Sequence, residues 1–180
     1  MRALELGVLV LSVAGASAAR GSRGAMDDTP CLFAASEGNL ERVMSYIALD
    51  EGRCARERSS VGETALHVAA LSGNARVANA LLKSGCDANA RTHGGQYLSM
   101  TPLHWWVYGG EANAEGVEAL LRGGADANAA NADGKTALDM AYEQGDFGAK
   151  VREILVRYGG ERSMEVETEV NDDEESREEL

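Results

Sequence analysis

The side chains best suited to chemistry in this chain are three histidines and three cysteines, and their spacing decides what they can do. His67 and His104 each stand three residues after a threonine, in Thr64-Ala65-Leu66-His67 and Thr101-Pro102-Leu103-His104. A catalytic centre needs a converging set of polar groups. His93 lies beside glycines, with no base, nucleophile or metal partner at a recognisable offset. Cys86 with His93 supplies two zinc ligands where a site takes four. No Gly-x-Ser-x-Gly and no phosphate loop occurs. The residues therefore predict no catalytic group, no metal and no cofactor.

The two histidines belong to a longer recurrence. Thr29-Pro30-Cys31-Leu32 precedes them and Thr136-Ala137-Leu138-Asp139 follows, so four threonines lie 35, 37 and 35 residues apart. Gly38, Gly73, Gly110 and Gly145 each fall nine residues after their threonine. Ala34-Ala35, Ala69-Ala70 and Ala141 share one offset, where the third copy has Trp106-Val107. A second apolar stretch follows each glycine at helical spacing: Val43 and Ile47, Val77 and Leu81, Val117 and Leu120, Val151 and Ile154. Gly85-Cys86-Asp87-Ala88-Asn89 and Gly124-Ala125-Asp126-Ala127-Asn128 close the second and third copies.

These letters predict local structure. Threonine can cap a helix beginning at the next residue, where proline is tolerated. The alanines permit close approach of neighbouring helices. Glycine supplies the positive φ that ends the first helix, and the Asp and Asn side chains bond the local backbone of a turn. Each unit is thus helix, turn, helix and hairpin loop, stable only when stacked on the next.

In its Thr-Pro-Leu-His, Gly-x-Asp-Ala-Asn and period, the chain resembles the ankyrin-repeat family over roughly residues 29–160. The resemblance implies an all-α solenoid of about four repeats, starting near residues 29, 64, 101 and 136, that binds another protein. It also implies structural duty for His67 and His104, which would bond the turn of a neighbouring repeat. Thr64, Thr101, Thr136, Gly73, Gly110 and Gly145 are the matching framework positions. The first copy departs after Ile47, where Asp50 to Ser60 holds no Gly-x-Asp-x-Asn, and the last carries Asp139 in place of histidine.

Net charge is −12, which argues against a nucleic-acid partner. Residues 161–180 hold ten acids and two arginines, a net of −8, and this composition predicts a disordered acidic tail. Dispersed carboxylates in it would allow weak calcium association, without the spaced loop of a specific site.

Both ends look like addresses. Arg2, the apolar run Leu6 to Val13 and the small residues Ala16-Ser17-Ala18 have the layout of a signal peptide over 1–18, with 19–28 as linker. The run is too short for a membrane span. Arg177-Glu178-Glu179-Leu180 resembles an endoplasmic-reticulum retrieval signal, read by a retrieval receptor. Together they point to the endoplasmic-reticulum lumen; the alternatives are a cytosolic or nuclear adaptor with spurious terminal signals, or a lumenal protein that buffers calcium through its acidic tail. Cys31 occupies a core leucine position, while Cys54 and Cys86, near adjacent loop ends, can be imagined as a pair in an oxidising compartment.

A partner surface is suggested by departures from the repeat. Eleven residues separate Asn89 from Thr101, against seven between Asn128 and Thr136. The longer loop, Arg91 to Met100, offers Arg91, His93, Gln96, Tyr97 and Met100. Leu71, Tyr108 and Glu143 share an offset that faces partners in the resembled family. Trp105 falls on an apolar stripe and is read as packing. Trp106 replaces an alanine, so either the neighbouring helix moves, helped by extra residues at Glu111-Ala112-Asn113, or the ring turns outward beside Tyr108.

Overall fold

A computed structural model describes residues 29–163, except Glu51, Gln96 and Tyr97. The described residues form nine α-helices and no strand. Four helix pairs repeat along the chain. They are α1 (Pro30–Ser36) with α2 (Leu40–Leu49), then, after the short α3 (Arg53–Arg56), α4 (Ala65–Val68) with α5 (Ala75–Lys83), α6 (Pro102–Tyr108) with α7 (Ala114–Arg122), and α8 (Ala137–Glu143) with α9 (Ala149–Arg157). Each first helix starts one residue after its threonine. Helices α1, α4, α6 and α8 stack in one layer, and α2, α5, α7 and α9 in a second layer against it.

The core lies between those layers and is built largely from Ala, Leu and Val, including Ala34, Ala69, Val107 and Ala141 of the first helices. Turn geometry fixes the pairing. Gly38, Gly73, Gly110 and Gly145 have φ of 67°, 63°, 60° and 58°, a region costly for any residue with a Cβ. The extra residues noted in the third copy are not confined to it. Short 3₁₀ turns, Gly110–Asn113 and Gly145–Gly148, precede both α7 and α9 and pack on each other.

The capping threonines work with their motif partners. His67 Nδ1 accepts from Thr64 N at 3.1 Å, and its Nε2 bonds the Met100 carbonyl of the next unit at 3.1 Å. His104 repeats this with Thr101 N at 3.2 Å and the Lys135 carbonyl at 3.2 Å. Each histidine thereby ties its own helix start to the following hairpin. Burial lowers the pKa of His67 from 6.5 to about 4, against the pull of the Met100 carbonyl, and lowers that of His104 in the same way.

The two ends solve the same problem differently. Thr29 makes no side-chain cap. Glu57 does it instead, accepting from Cys31 N at 2.9 Å and Leu32 N at 3.1 Å while Arg53 pairs its other oxygen. Cys31 and Cys54 form a disulfide with Cα atoms 5.4 Å apart, and Cys86 is free and buried. Cys31 takes its expected core position and is also tied covalently to α3, while the imagined Cys54–Cys86 pair is corrected: Cys54 bonds Cys31 instead. The segment without the hairpin motif is thus the one that caps and staples α1.

At the other end, Asp139 accepts from Thr136 N at 2.9 Å, Thr136 Oγ1 at 2.9 Å and Ser163 N at 3.0 Å. Burial opposes its ionisation, but the bonds from Ser163 and Thr136 outweigh it and lower the pKa to about 2. A histidine there would present a donor to the next unit; the carboxylate accepts the final amide instead. Ser163 and Glu161 are therefore part of the array, three residues into the span that composition assigned to the tail. The Arg177–Leu180 and 1–28 assignments lie outside the described residues.

Candidate functional site

The hairpins form one continuous row. Asp87 and Asp126 bond their local backbone, accepting from Asn89 N at 2.8 Å and Asn128 N at 2.9 Å. The asparagines do not stay local. Asn89 bonds Gly124 O at 2.9 Å and Asp126 N at 2.7 Å in the next unit, and Asn128 does the same with Gly159 O and Glu161 N. Such reciprocal amide bonds lock one hairpin to the next, so a surface along them is held before any partner arrives.

The long loop is stitched on both sides. His93 N donates to Val61 O at 2.9 Å, and Ala132 N donates to Leu98 O at 2.7 Å. Arg91 donates from Nη1 to Ser99 O at 3.0 Å and Ala130 O at 2.7 Å, so this guanidinium braces the loop rather than projecting free. Leu98 and Ser99 both adopt positive φ, 58° and 48°, which is uncommon for residues with a side chain. His93 is exposed, with its ring over Gly62, where a Cβ would lie 2.8 Å from Cδ2. Gln96 and Tyr97 lie outside the described residues.

Two expected surface residues are core residues. Met100 is 6% exposed and Trp106 is 0% exposed. Met100 is buried because it directly precedes a capped helix and offers its carbonyl to His67. Trp106 is buried because Gly116 on α7 leaves room for its ring, and its Nε1 donates to Leu66 O at 2.9 Å. Trp105 is partly buried against the core, with its ring edge-on to His67 at 5.7 Å between centroids. Its indole nitrogen finds no acceptor among the described residues.

Leu71 and Tyr108 remain half-exposed, at 39% and 38%. They end α4's 3₁₀ extension and α6, so each lies about 10 Å from its hairpin, the length of one seven-residue helix. The candidate surface is thus two strips, hairpin tips and helix ends, one helix length apart. Sequence reasoning marked Glu143 at the last unit but missed the cleft beside it. There Lys135, Tyr142, Glu143, Arg162 and Ser163 help to line a cleft of about 630 Å³. Tyr142 carries the guanidiniums of Arg152 and Arg162 over its ring at 5.1 and 4.8 Å, a cation–π arrangement. The signal available was Tyr142 at the offset held by Ala35, Ala70 and Val107, where the last unit has no further helix pair read from sequence to cover a larger ring.

A smaller cleft, about 420 Å³, involves Arg53, Arg56 and Arg58. Their charges are committed: Arg53 to Glu57, Arg56 to Asp50, and Arg58 to the Ala55 and Glu57 carbonyls. No three His, Cys, Asp or Glu side chains gather as metal ligands among the described residues. No helix there is long and apolar enough to cross a membrane.

Stacked helix pairs joined by locked hairpins define a helical-repeat solenoid, a class that works by presenting surface. A family model described as ankyrin repeats (3 copies) matches residues 2–92, half of the chain. The chain belongs to the ankyrin-repeat family. Ankyrin repeats are generally protein–protein interaction modules and the family is typically non-catalytic. The match takes in the first two helix pairs and begins within the span read from sequence as a leader; the third and fourth pairs lie beyond it yet keep the same architecture. No curated protein matches the chain.

Proposed function

We propose that this chain is a protein-binding scaffold of the endoplasmic-reticulum lumen, which holds its partner across the hairpin row and the ends of the first helices. His93 represents the first strip, braced by Arg91, and Leu71 and Tyr108 the second. Binding draws on rigidity. The asparagine bonds and the Arg91 brace order the surface beforehand, so little entropy is lost on association.

The Cys31–Cys54 bond is the observation that carries the compartment. Disulfides persist in oxidising compartments and are rare in the cytosol of mesophiles. The leader-like residues 1–18 and the Arg177-Glu178-Glu179-Leu180 terminus supply an entry and a retrieval address consistent with it. Mapping the mature amino terminus of the protein from cells tests this. A terminus near Ala19, with secretion on deleting Arg177–Leu180, is the expected result. An intact Met1 with Cys31 and Cys54 both reduced would contradict it.

One observation favours a second reading. The family match begins at residue 2, within the span read as a leader, which favours a cytosolic or nuclear adaptor whose terminal signals are spurious. The same amino-terminal mapping separates the two.

A further inference from the structure

The chain has a net charge of −12, yet one cleft on its first unit is walled by guanidiniums. Arg53, Arg56 and Arg58 line it with Thr29 and Glu57, around about 420 Å³. Against these three positive charges stand two carboxylates, Glu57 and Asp50. Glu57 is turned inward, 9% exposed, with one oxygen on the Cys31 and Leu32 amides and the other on Arg53. Arg58 bonds the neutral carbonyls of Ala55 and Glu57, and among the described residues no carboxylate pairs with it. A guanidinium has five N–H donors over three nitrogens. The bonds formed commit one nitrogen of each: Nε of Arg53, Nη2 of Arg56 and Nη1 of Arg58.

The cluster is also held in place. The Cys31–Cys54 disulfide fixes α3, which bears Arg53 and Arg56. The Arg53 guanidinium lies over the Tyr46 ring at 5.8 Å, and Arg56 Nη1 occupies a point 2.1 Å from where a Cβ on Gly52 would lie. Thr29 lines the same cleft with a hydroxyl that makes no capping bond, because Glu57 serves α1 instead. Planar guanidinium forks match the oxygens of phosphate, and a doubly charged anion gains most from a local reversal of sign. The cleft is of ligand size, with room for the group that carries such an anion.

We propose that this cleft binds a tetrahedral dianion of the phosphate class, gripped by Arg53, Arg56 and Arg58, with the Thr29 hydroxyl as a further donor. The source is free phosphate or the phosphorylated side chain of a partner protein. No residue of the hairpin and helix-end strips takes part, so this site stands or fails independently of that surface.

Nuclear magnetic resonance on the isotope-labelled full chain, titrated with inorganic phosphate at constant ionic strength, tests the site. The expected result is saturable shifts of the Nε–Hε signals of Arg53, Arg56 and Arg58, and none at Arg76, exposed on α5. Arg58→Gln removes no ion pair and should weaken binding at least ~10-fold at an unchanged unfolding midpoint. Asp50→Asn keeps an acceptor for Gly52 N, releases Arg56, and should tighten binding at least ~3-fold, which misfolding cannot mimic. Shifts that do not saturate, equal shifts at Arg76, or no gain from Asp50→Asn overturn the proposal. A neutral peptide bearing one phosphoserine, and its unmodified form, then identify the source. Binding of the phosphopeptide at least ~10-fold tighter than phosphate assigns a modified partner, and equal binding assigns the free anion. Binding of the unmodified peptide to the same arginines overturns the phosphate class.

Discussion

The six-membered ring of Trp106 fills the space that a side chain on Gly116 would occupy: a Cβ there would lie 1.7 Å from Cζ3 and 2.0 Å from Cε3. A tryptophan at a position where the other units have alanine is thus accommodated by a glycine one helix away. The Nε1 bond to Leu66 O then spans two units, joining α6 to α4.

These two residues should behave as a coupled pair. Gly116→Ala overpacks the site and is expected to cost about 1–3 kcal/mol. Trp106→Ala opens a cavity and should cost about 3–5 kcal/mol. In urea unfolding the double variant should be more stable than the sum of the two losses by at least ~1 kcal/mol. Strict additivity would show that the ring does not depend on the glycine.

The first unit depends on its covalent tie. A loop closed between Cys31 and Cys54 is worth about 3 kcal/mol through the unfolded state. Cys31→Ser and Cys54→Ser should each lower stability by a similar amount, with α1 amides exchanging fastest. Their effects should not add in the double variant, and Cys86→Ser should lack this signature. Additive losses on unfolding the two single variants and the double would remove the disulfide from the account.

Acid should loosen the array through His67. Its folded pKa, about 4, lies below the usual 6.5, so the unfolded chain binds more protons between those values. The contribution is complete above pH 6.5 and declines as pH falls toward 4, by about 3 kcal/mol in all. Denaturant unfolding at pH 7 and pH 4.5 reads this. Replacing His67 with Gln should flatten that part of the profile, whatever it does to stability at pH 7.

Asp139 sets the end of the array by accepting where its counterparts donate. Asp139→His should turn a favourable acceptor toward Ser163 N into a competing donor. Loss of that part-buried bond is expected to cost about 1 kcal/mol. Hydrogen exchange at Ser163 and Glu161 should accelerate before exchange in α9 does. Unchanged protection at Ser163 would mean that the segment is held by Asn128 alone. Because the Asp139 pKa is depressed to about 2, its contribution is present above pH 3.8 and is lost only below that value.

Most of the fold was legible because its signals are local and repeated. A threonine starts each first helix, a glycine with positive φ ends it, and the period sets the stacking. The features that escaped are those whose partner lies elsewhere in the chain. Trp106 looked surface-bound while Gly116 was unread, although a glycine inside a helix without a capping role was the available clue. Cys54 sits in a segment without motif letters, so nothing local pointed it toward Cys31. Met100 carried a residue type common at interfaces, but its place just before a capped helix start buries it. Arg91 likewise suits a contact surface, and only the folded loop shows its guanidinium engaged with two carbonyls. The half-exposure of Leu71 and Tyr108 was legible because their offset is itself part of the repeat.

The central claim is that half-exposed helix-end residues on a rigid repeat framework bind a protein partner. Affinity capture from whole-cell extract, comparing the wild-type chain with Leu71→Ala and Tyr108→Ala combined, tests it most directly. The account expects a partner held stoichiometrically by the wild type and reduced at least ~10-fold by the double variant, a loss of about 1.4 kcal/mol. Helicity and unfolding midpoint should stay the same. Equal capture by both chains at unchanged stability would contradict it.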